Sequence, residues 1–426
     1  MIPKTPYSSS EGHLYTLECG LRVLHLPTQS PIAYVGYAVP AGSGHDPRPY
    51  HGLAHLVEHM LFKGTPLRNA GMLIRRIEEV GADVNAFTTK TDTFVHAAVP
   101  VRYTGRVVSA LTDIVLRSSF PAEELSKEQG VICEEIHSYE DSPEEAIFDE
   151  FDTLLFRGHP YAHNILGTEH SVGRITPAVA GRFLASYYTP RQMVFCLMGL
   201  QEIAPVLDRL NAQFARYTPT HRPFHTPHLS GNPRVVPTAG STASPFYITH
   251  RRDTAQAHCL IGALAPHRED PLRIPTSLLC NILGGPAMSS ELNMLLREQN
   301  GLVYSVEASY QPLKEWGELT IYLGCAPKNL EQATRLVHQV LDRYCTQELS
   351  QEALSKAKRR LKGQLALAQD TPETLFLSQI KHFLHYGSAL NMDLLAQQIE
   401  QIAPQDLSRA ASKYLTPALR HTLVYR

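Results

Sequence analysis

The sequence predicts an α+β protein of two homologous domains, each a mainly antiparallel sheet packed with helices. Three observations carry that prediction. The chain has 426 residues, too many for one ordinary core at roughly 150 residues per domain. A stretch from Tyr217 to Pro245, crowded with Pro, Thr, Ser, His and Gly and without helical or strand period, reads as a linker between two halves. The halves on either side of it then echo each other in order.

In the first half, Leu125-Ser126-Lys127 opens a helix-like run towards Glu135; in the second, Leu354-Ser355-Lys356 opens one of the same length towards Gln364. Upstream, Glu78-Glu79-Val80-Gly81 precedes an alternating stretch that reads as a half-buried strand from Val84 through Val95, and Glu298-Gln299-Asn300-Gly301 precedes one through Val306. Alternating strand patterns with long helical patterns between them suit antiparallel sheets backed by helices. The expected limits are 1–216, a linker at 217–245, and 246–426. Aligning Leu125 with Leu354 sets Ala357 opposite Glu128 and Gln364 opposite Glu135. If those carboxylates serve a metal, only the first domain binds one.

Composition excludes several classes of partner. Net charge is −2 with both signs scattered, so no surface suited to nucleic acid or to an anionic membrane is indicated. Met1 to Ser10 shows no charged start followed by an apolar core. The longest apolar runs, such as Met193 to Leu200, are strand-sized. A soluble, cytoplasmic protein is expected. The seven cysteines are spread out with no CxxC pair, so neither disulfides nor a cysteine-bound metal is expected.

The chemistry concentrates at His55-Leu56-Val57-Glu58-His59, within a helical pattern from Gly52 to Phe62. His55, Glu58 and His59 fall at i, i+3 and i+4, so they project from one face. Zinc takes neutral imidazole nitrogens at about 2.0–2.1 Å, and a catalytic site needs one further protein ligand while leaving a position for water. Glu58, beside the two ligands, can take a proton from water as it attacks a carbonyl. This is the H-x-x-E-H order. A second helical pattern, from Glu123 to Tyr139, carries Glu128 and Glu135 two turns apart, with Val131 and Ile132 as its apolar face. One carboxylate can complete the coordination and the other can orient a ligand histidine. Spacing alone does not separate Glu135 from its neighbour Glu134.

These residues resemble the pitrilysin/insulinase family of inverzincin zinc metallopeptidases, most closely its bacterial and mitochondrial-processing-peptidase-like members with two-domain subunits. The segments that carry the resemblance are His55 to Thr65, Gly81 to Thr88, Glu128 to Glu135, His159 to Tyr161 leading to Gly167-Thr168, and Arg297 to Tyr304. The resemblance implies one Zn2+ per chain on His55, His59 and Glu135, with Glu58 as the base and Glu128 as a supporting carboxylate. It implies that the strand around Asn85 and Ala86 lays an extended peptide main chain against main chain. It further implies that Arg297 and Tyr304, which taken alone read as a solvated helix-end cation and a strand aromatic, contact the substrate and polarise its scissile carbonyl. His159-Pro160-Tyr161 matches the family without an assigned chemistry. Gly284-Gly285-Pro286 departs from the longer glycine-rich turn of relatives, and its proline stiffens the turn.

Relatives close a chamber from four such domains, so the resemblance implies a clamshell-like dimer. A homodimer would have each zinc domain faced by the partner's second domain; a heterodimer with a related subunit is the alternative. The expected activity is endopeptidase cleavage of unfolded or short to medium peptides. The rival readings are a non-proteolytic structural or partner subunit of the same fold, marked by loss of a ligand or base, and a module using zinc structurally, which would saturate the metal with four protein ligands and leave Glu58 without a task.

Overall fold

The structure, a computed structural model, describes residues 12–217, 221–224, 245–252 and 254–426. Most of the expected linker at 217–245 therefore lies outside the described residues, as do 1–11. The first half runs β1 (His13–Thr16), β2 (Arg22–Leu26), β3 (Ile32–Val39), α1 (Leu53–Leu61), a short hairpin of β4 (Gly64–Thr65) and β5 (Arg68–Asn69), and α2 (Ala70–Glu78). It continues through β6 (Asp83–Thr88), β7 (Thr93–Pro100), α3 (Thr104–Arg117), α4 (Ala122–Glu140), α5 (Pro143–Leu155), α6 (Glu169–Val172), α7 (Pro177–Tyr187), β8 (Val194–Met198) and α8 (Ala204–Ala215). The second half holds β9 (Tyr247–His250), β10 (Ala257–Ala265), α9 (Arg273–Gly284), a π-helical segment at Asn293–Gln299, β11 (Val303–Pro312) and β12 (Gly317–Cys325). It closes with α10 (Leu330–Thr346), α11 (Gln351–Gln369), α12 (Pro372–Tyr386), α13 (Met392–Gln401), α14 (Pro404–Tyr414) and β13 (His421–Tyr425).

The repeat read from the sequence is present in the sheets. The first is ordered β1-β2-β8-β3-β7-β6 and the second β9-β13-β10-β12-β11. Setting β1 aside, each has five strands in the same order, antiparallel except for one pair, β2/β8 and β9/β13. The edge strands β6 and β11 thus occupy equivalent places. Helices α4 and α11, each 19 residues long, match position by position. Leu125 and Leu354, both buried, begin their apolar faces.

One face of the first sheet packs on α1, α3, α4, α7 and α8 around Val35, Tyr37, Val57, Leu111 and Phe183. The other faces are covered by exchange. Helix α5 of the first half lays Ile147, Phe151 and Leu155 on Leu260, Leu423 and Tyr425 of the second sheet. Helix α12 of the second half lays Leu375, Phe376, Ile380 and Phe383 on Leu24, Phe94, Cys196 and Met198 of the first. Each such side chain stabilises by about 1.5–3 kcal/mol when fully buried, so the swap fastens the halves. Gly262 makes room for it, since a Cβ there would lie 2.7 Å from the Phe151 ring.

Two local readings need correction. The stretch from Val84 through Val95 is not one strand but a hairpin of β6 and β7. The Thr89 hydroxyl accepts from the Asp92 amide at 3.0 Å and the Thr89 amide donates to the Asp92 carbonyl at 2.8 Å, closing the turn. Strand β6 is partly exposed, whereas β7 is buried along nearly its whole length. On α4, Val131 is 45% exposed, and the buried stripe is Leu125, Glu128, Ile132 and Ile136; the 3.6-residue period turns Val131 away from the core.

The seven cysteines are free thiols, with Cys196, Cys259, Cys280 and Cys325 buried. No helix among the described residues is long and apolar enough to cross a membrane.

Candidate metal centre

Helix α1 is aimed by its start. Gly52 takes φ +90°, where a Cβ would meet the Leu166 carbonyl at 2.4 Å, and the buried Asp46 carboxylate accepts from the amides of Gly52 (2.8 Å), Leu53 (3.1 Å) and Ala54 (2.9 Å). A loop carboxylate thus satisfies the helix N-terminus in place of a capping side chain. Leu53, Ala54, Leu56, Val57, Met60 and Leu61 are buried, which leaves His55, Glu58 and His59 on the face towards α4.

There Glu135 meets both imidazoles. Its Oε2 lies 3.9 Å from His55 Nε2, and its Oε1 lies 3.8 Å from His59 Nε2. One ligand atom from each of the three lies within 4.8 Å of the others. Glu134 points to solvent and takes no part, so the tertiary structure separates the two glutamates that spacing left level. Burial, with His59 alongside, pushes His55 down to about 3, and its imidazole is neutral at physiological pH, as a metal ligand must be. The other nitrogen of His59, Nδ1, lies 3.1 Å from Glu128 Oε2, which fixes the ring with Nε2 turned towards Glu135. Two imidazoles, one carboxylate and a carboxylate behind one imidazole form a nitrogen and oxygen donor set that suits zinc.

Glu58 is buried beside this cluster. Burial pushes its carboxyl above the usual range, while the hydrogen bond from Thr88 and the proximity of His59 pull it back. The Thr88 Oγ1 donates to Glu58 Oε2 at 2.5 Å, and Thr88 ends β6. Asn85 and Ala86 lie on the same strand, which among the described residues pairs only with β7.

Arg297 and Tyr304 are not brought to the cluster by their own chain's contacts. Arg297 lies on the π-helical segment, 3.9 Å from Glu298. Tyr304, 61% exposed, stands on β11 at a register shift between Val303 and Ser305. In the second half, α9 and α11 meet as α1 and α4 do, but there Asn281 donates to Gln364 at 2.7 Å. Gly284 and Gly285 at the departing turn are needed for packing, since Cβ atoms would approach the Ala308 amide nitrogen at 2.7 Å and the Asn281 side-chain nitrogen at 2.8 Å. His159 accepts from the Tyr161 amide, and Tyr161 bonds Glu315 across the halves; that segment is structural. Sequence reasoning gave no role to Thr88 or to Lys63, whose Nζ lies 2.6 Å from Glu128 Oε1. Lys63 lies four residues after His59 and within the His55 to Thr65 segment.

Fold and site define a duplicated α+β protein with a His/His/Glu centre in its first half. Residues 22–169 match Insulinase (Peptidase family M16), and residues 174–361 match the Peptidase M16 inactive domain. An uncharacterised zinc protease of Mycobacterium tuberculosis (strain ATCC 25618 / H37Rv) is 30% identical over 423 residues, covering 97% of this chain and 93% of that protein. One of Bacillus subtilis (strain 168) is 27% identical over 411 residues, covering 94% and 95%. The crystal structure of a protease from Helicobacter pylori shares the fold, with a TM-score of 0.88 at 18% identity, covering 98% of this chain and 99% of that one. The chain belongs to peptidase family M16, the insulinase family.

Proposed function

We propose that the protein is a zinc-dependent endopeptidase acting on unfolded or short to medium peptides. The observation that carries this reading is the convergence of His55, His59 and Glu135 with a buried carboxylate, Glu58, next to them. His55, His59 and Glu135 hold the metal, one per chain, because Asn281 and Gln364 occupy the corresponding place in the second half. When bound, zinc supplies Lewis-acid polarisation of the scissile carbonyl and makes water more acidic. Glu58 accepts the proton of the attacking water and delivers it to the amine nitrogen as the C–N bond breaks. Family membership and the zinc proteases among its relatives support the assignment.

The substrate lies along β6, adding a strand at Asn85 and Ala86 through main-chain hydrogen bonds, which confers affinity with little sequence preference. Arg297 and Tyr304 reach the carbonyl oxygen from the second half of a partner subunit in a homodimer, stabilising the developing oxyanion. Their exposure and their place on the equivalent edge of the second sheet support that arrangement. A non-proteolytic subunit would be expected to lack a ligand or the base, and all four residues are present.

The test is cleavage of a quenched peptide library by wild type, Glu58→Gln and metal-stripped protein, with zinc content measured on each. Wild type alone is expected to turn over, the variant retaining zinc but losing about 10²–10⁴-fold in rate. Equal turnover by wild type and Glu58→Gln would sink the assignment.

A further inference from the structure

Glu128 is a carboxylate taken almost wholly out of water, 7% exposed on the buried stripe of α4. Its one charged-capable neighbour on the metal side is His59, 3.1 Å away, an imidazole that must stay neutral to hold a metal. A buried carboxylate with one oxygen left without a partner is poorly compensated, and it would relax by turning away. Lys63 removes that imbalance. It lies just past the end of α1, one turn beyond His59, and its ammonium sits 2.6 Å from the second oxygen of Glu128. The lysine side chain is 29% exposed and lines an open pocket with Gly64, Arg68 and Glu124, so it meets solvent on one side and Glu128 on the other. Lys63, Glu128 and His59 therefore form a line in which each oxygen of Glu128 has one partner.

We infer that Lys63 is a positioning residue of the metal centre, acting through Glu128 on the His59 ring. The inference rests on the zinc site proposed above. Lys63 holds Glu128 Oε1 and so keeps Oε2 aimed at His59 Nδ1, with the ring's Nε2 turned towards Glu135. It touches neither metal nor peptide. Partners in such an outer layer typically account for 10–100-fold in metal affinity.

The test is zinc affinity of the full-length protein, by competition with a chromophoric chelator, for wild type, Lys63→Met, Lys63→Arg, Glu128→Gln and the Lys63→Met/Glu128→Gln double variant. His59→Ala serves as the control, and thermal midpoints of the metal-free proteins monitor folding. Lys63→Met is expected to raise the zinc Kd about tenfold, Lys63→Arg to restore most of it, and the double variant to bind no worse than Glu128→Gln alone. A Kd unchanged in Lys63→Met, or losses that add in the double variant, would overturn the inference. Should Lys63→Met not fold, Lys63→Gln is compared in its place with the same two outcomes. Failure of the underlying site reads differently: wild type would bind no zinc, or His59→Ala would bind as well as wild type.

Discussion

The Thr88 hydroxyl donates to Glu58 at 2.5 Å, so the strand proposed to hold the peptide also holds the base. A hydrogen bond to a charged group contributes about 1.5–3 kcal/mol. Thr88→Val, which keeps the shape and loses the hydroxyl, is expected to lower kcat about tenfold or more with zinc content unchanged, and Thr88→Ser to retain most activity. The hydroxyl favours the ionised carboxylate, so the acid limb of the kcat profile should move to higher pH in Thr88→Val. Unchanged turnover would remove Thr88 from the mechanism.

Glu134 and Glu135 are adjacent in sequence, but only Glu135 faces the two histidines. Glu135→Gln is expected to lose zinc on desalting and to be inactive, whereas Glu134→Gln keeps both. Metal analysis of the two desalted variants decides this, and the reverse pattern would reassign the ligand.

Glu318 on β12 is buried against Asp152 of α5, with Lys90 Nζ 3.1 Å from Asp152. Burial, the Asp152 charge and the hydrogen bond between the two carboxyls hold the Glu318 carboxyl well above the usual range. A raised acid binds its proton more tightly in the folded state, so its contribution is full below the ordinary glutamate pKa and is lost as pH rises through the folded value. Glu318→Gln, which stays neutral, should therefore gain stability relative to wild type as pH rises above that ordinary value. Urea unfolding from pH 5 to 9 measures it, and a difference independent of pH would refute the shared proton.

In the proposed homodimer, Glu58→Gln and Arg297→Ala chains each lack one part of the same site. Mixed after dissociation and reassociation, they should regain about a quarter of wild-type turnover, since statistical pairing gives half heterodimers with one intact site of two. A mixture no more active than either variant would place Arg297 outside the partner's site.

Much of the centre was legible because a helix converts spacing into direction. His55, Glu58 and His59 share a face whatever surrounds them, and Glu128 and Glu135, seven residues apart, stay on one stripe. The same rule applied to Val131 failed, since an apolar residue adjacent to the buried stripe does not reveal on which side of the boundary it falls. Loss of the second site was also readable, as Gln364 in place of Glu135, although its hydrogen bond from Asn281 was not.

The sequence by itself determined the α+β class, the duplication, and which helical faces carry the donors, because periodicity and spacing act over a few residues. Only the tertiary structure decided the exchange of α5 and α12 and the contacts of Thr88 with Glu58 and of Lys63 with Glu128. An amphipathic pattern states that a face is buried but not which sheet buries it. Long-range polar contacts depend on how separate helices and strands pack.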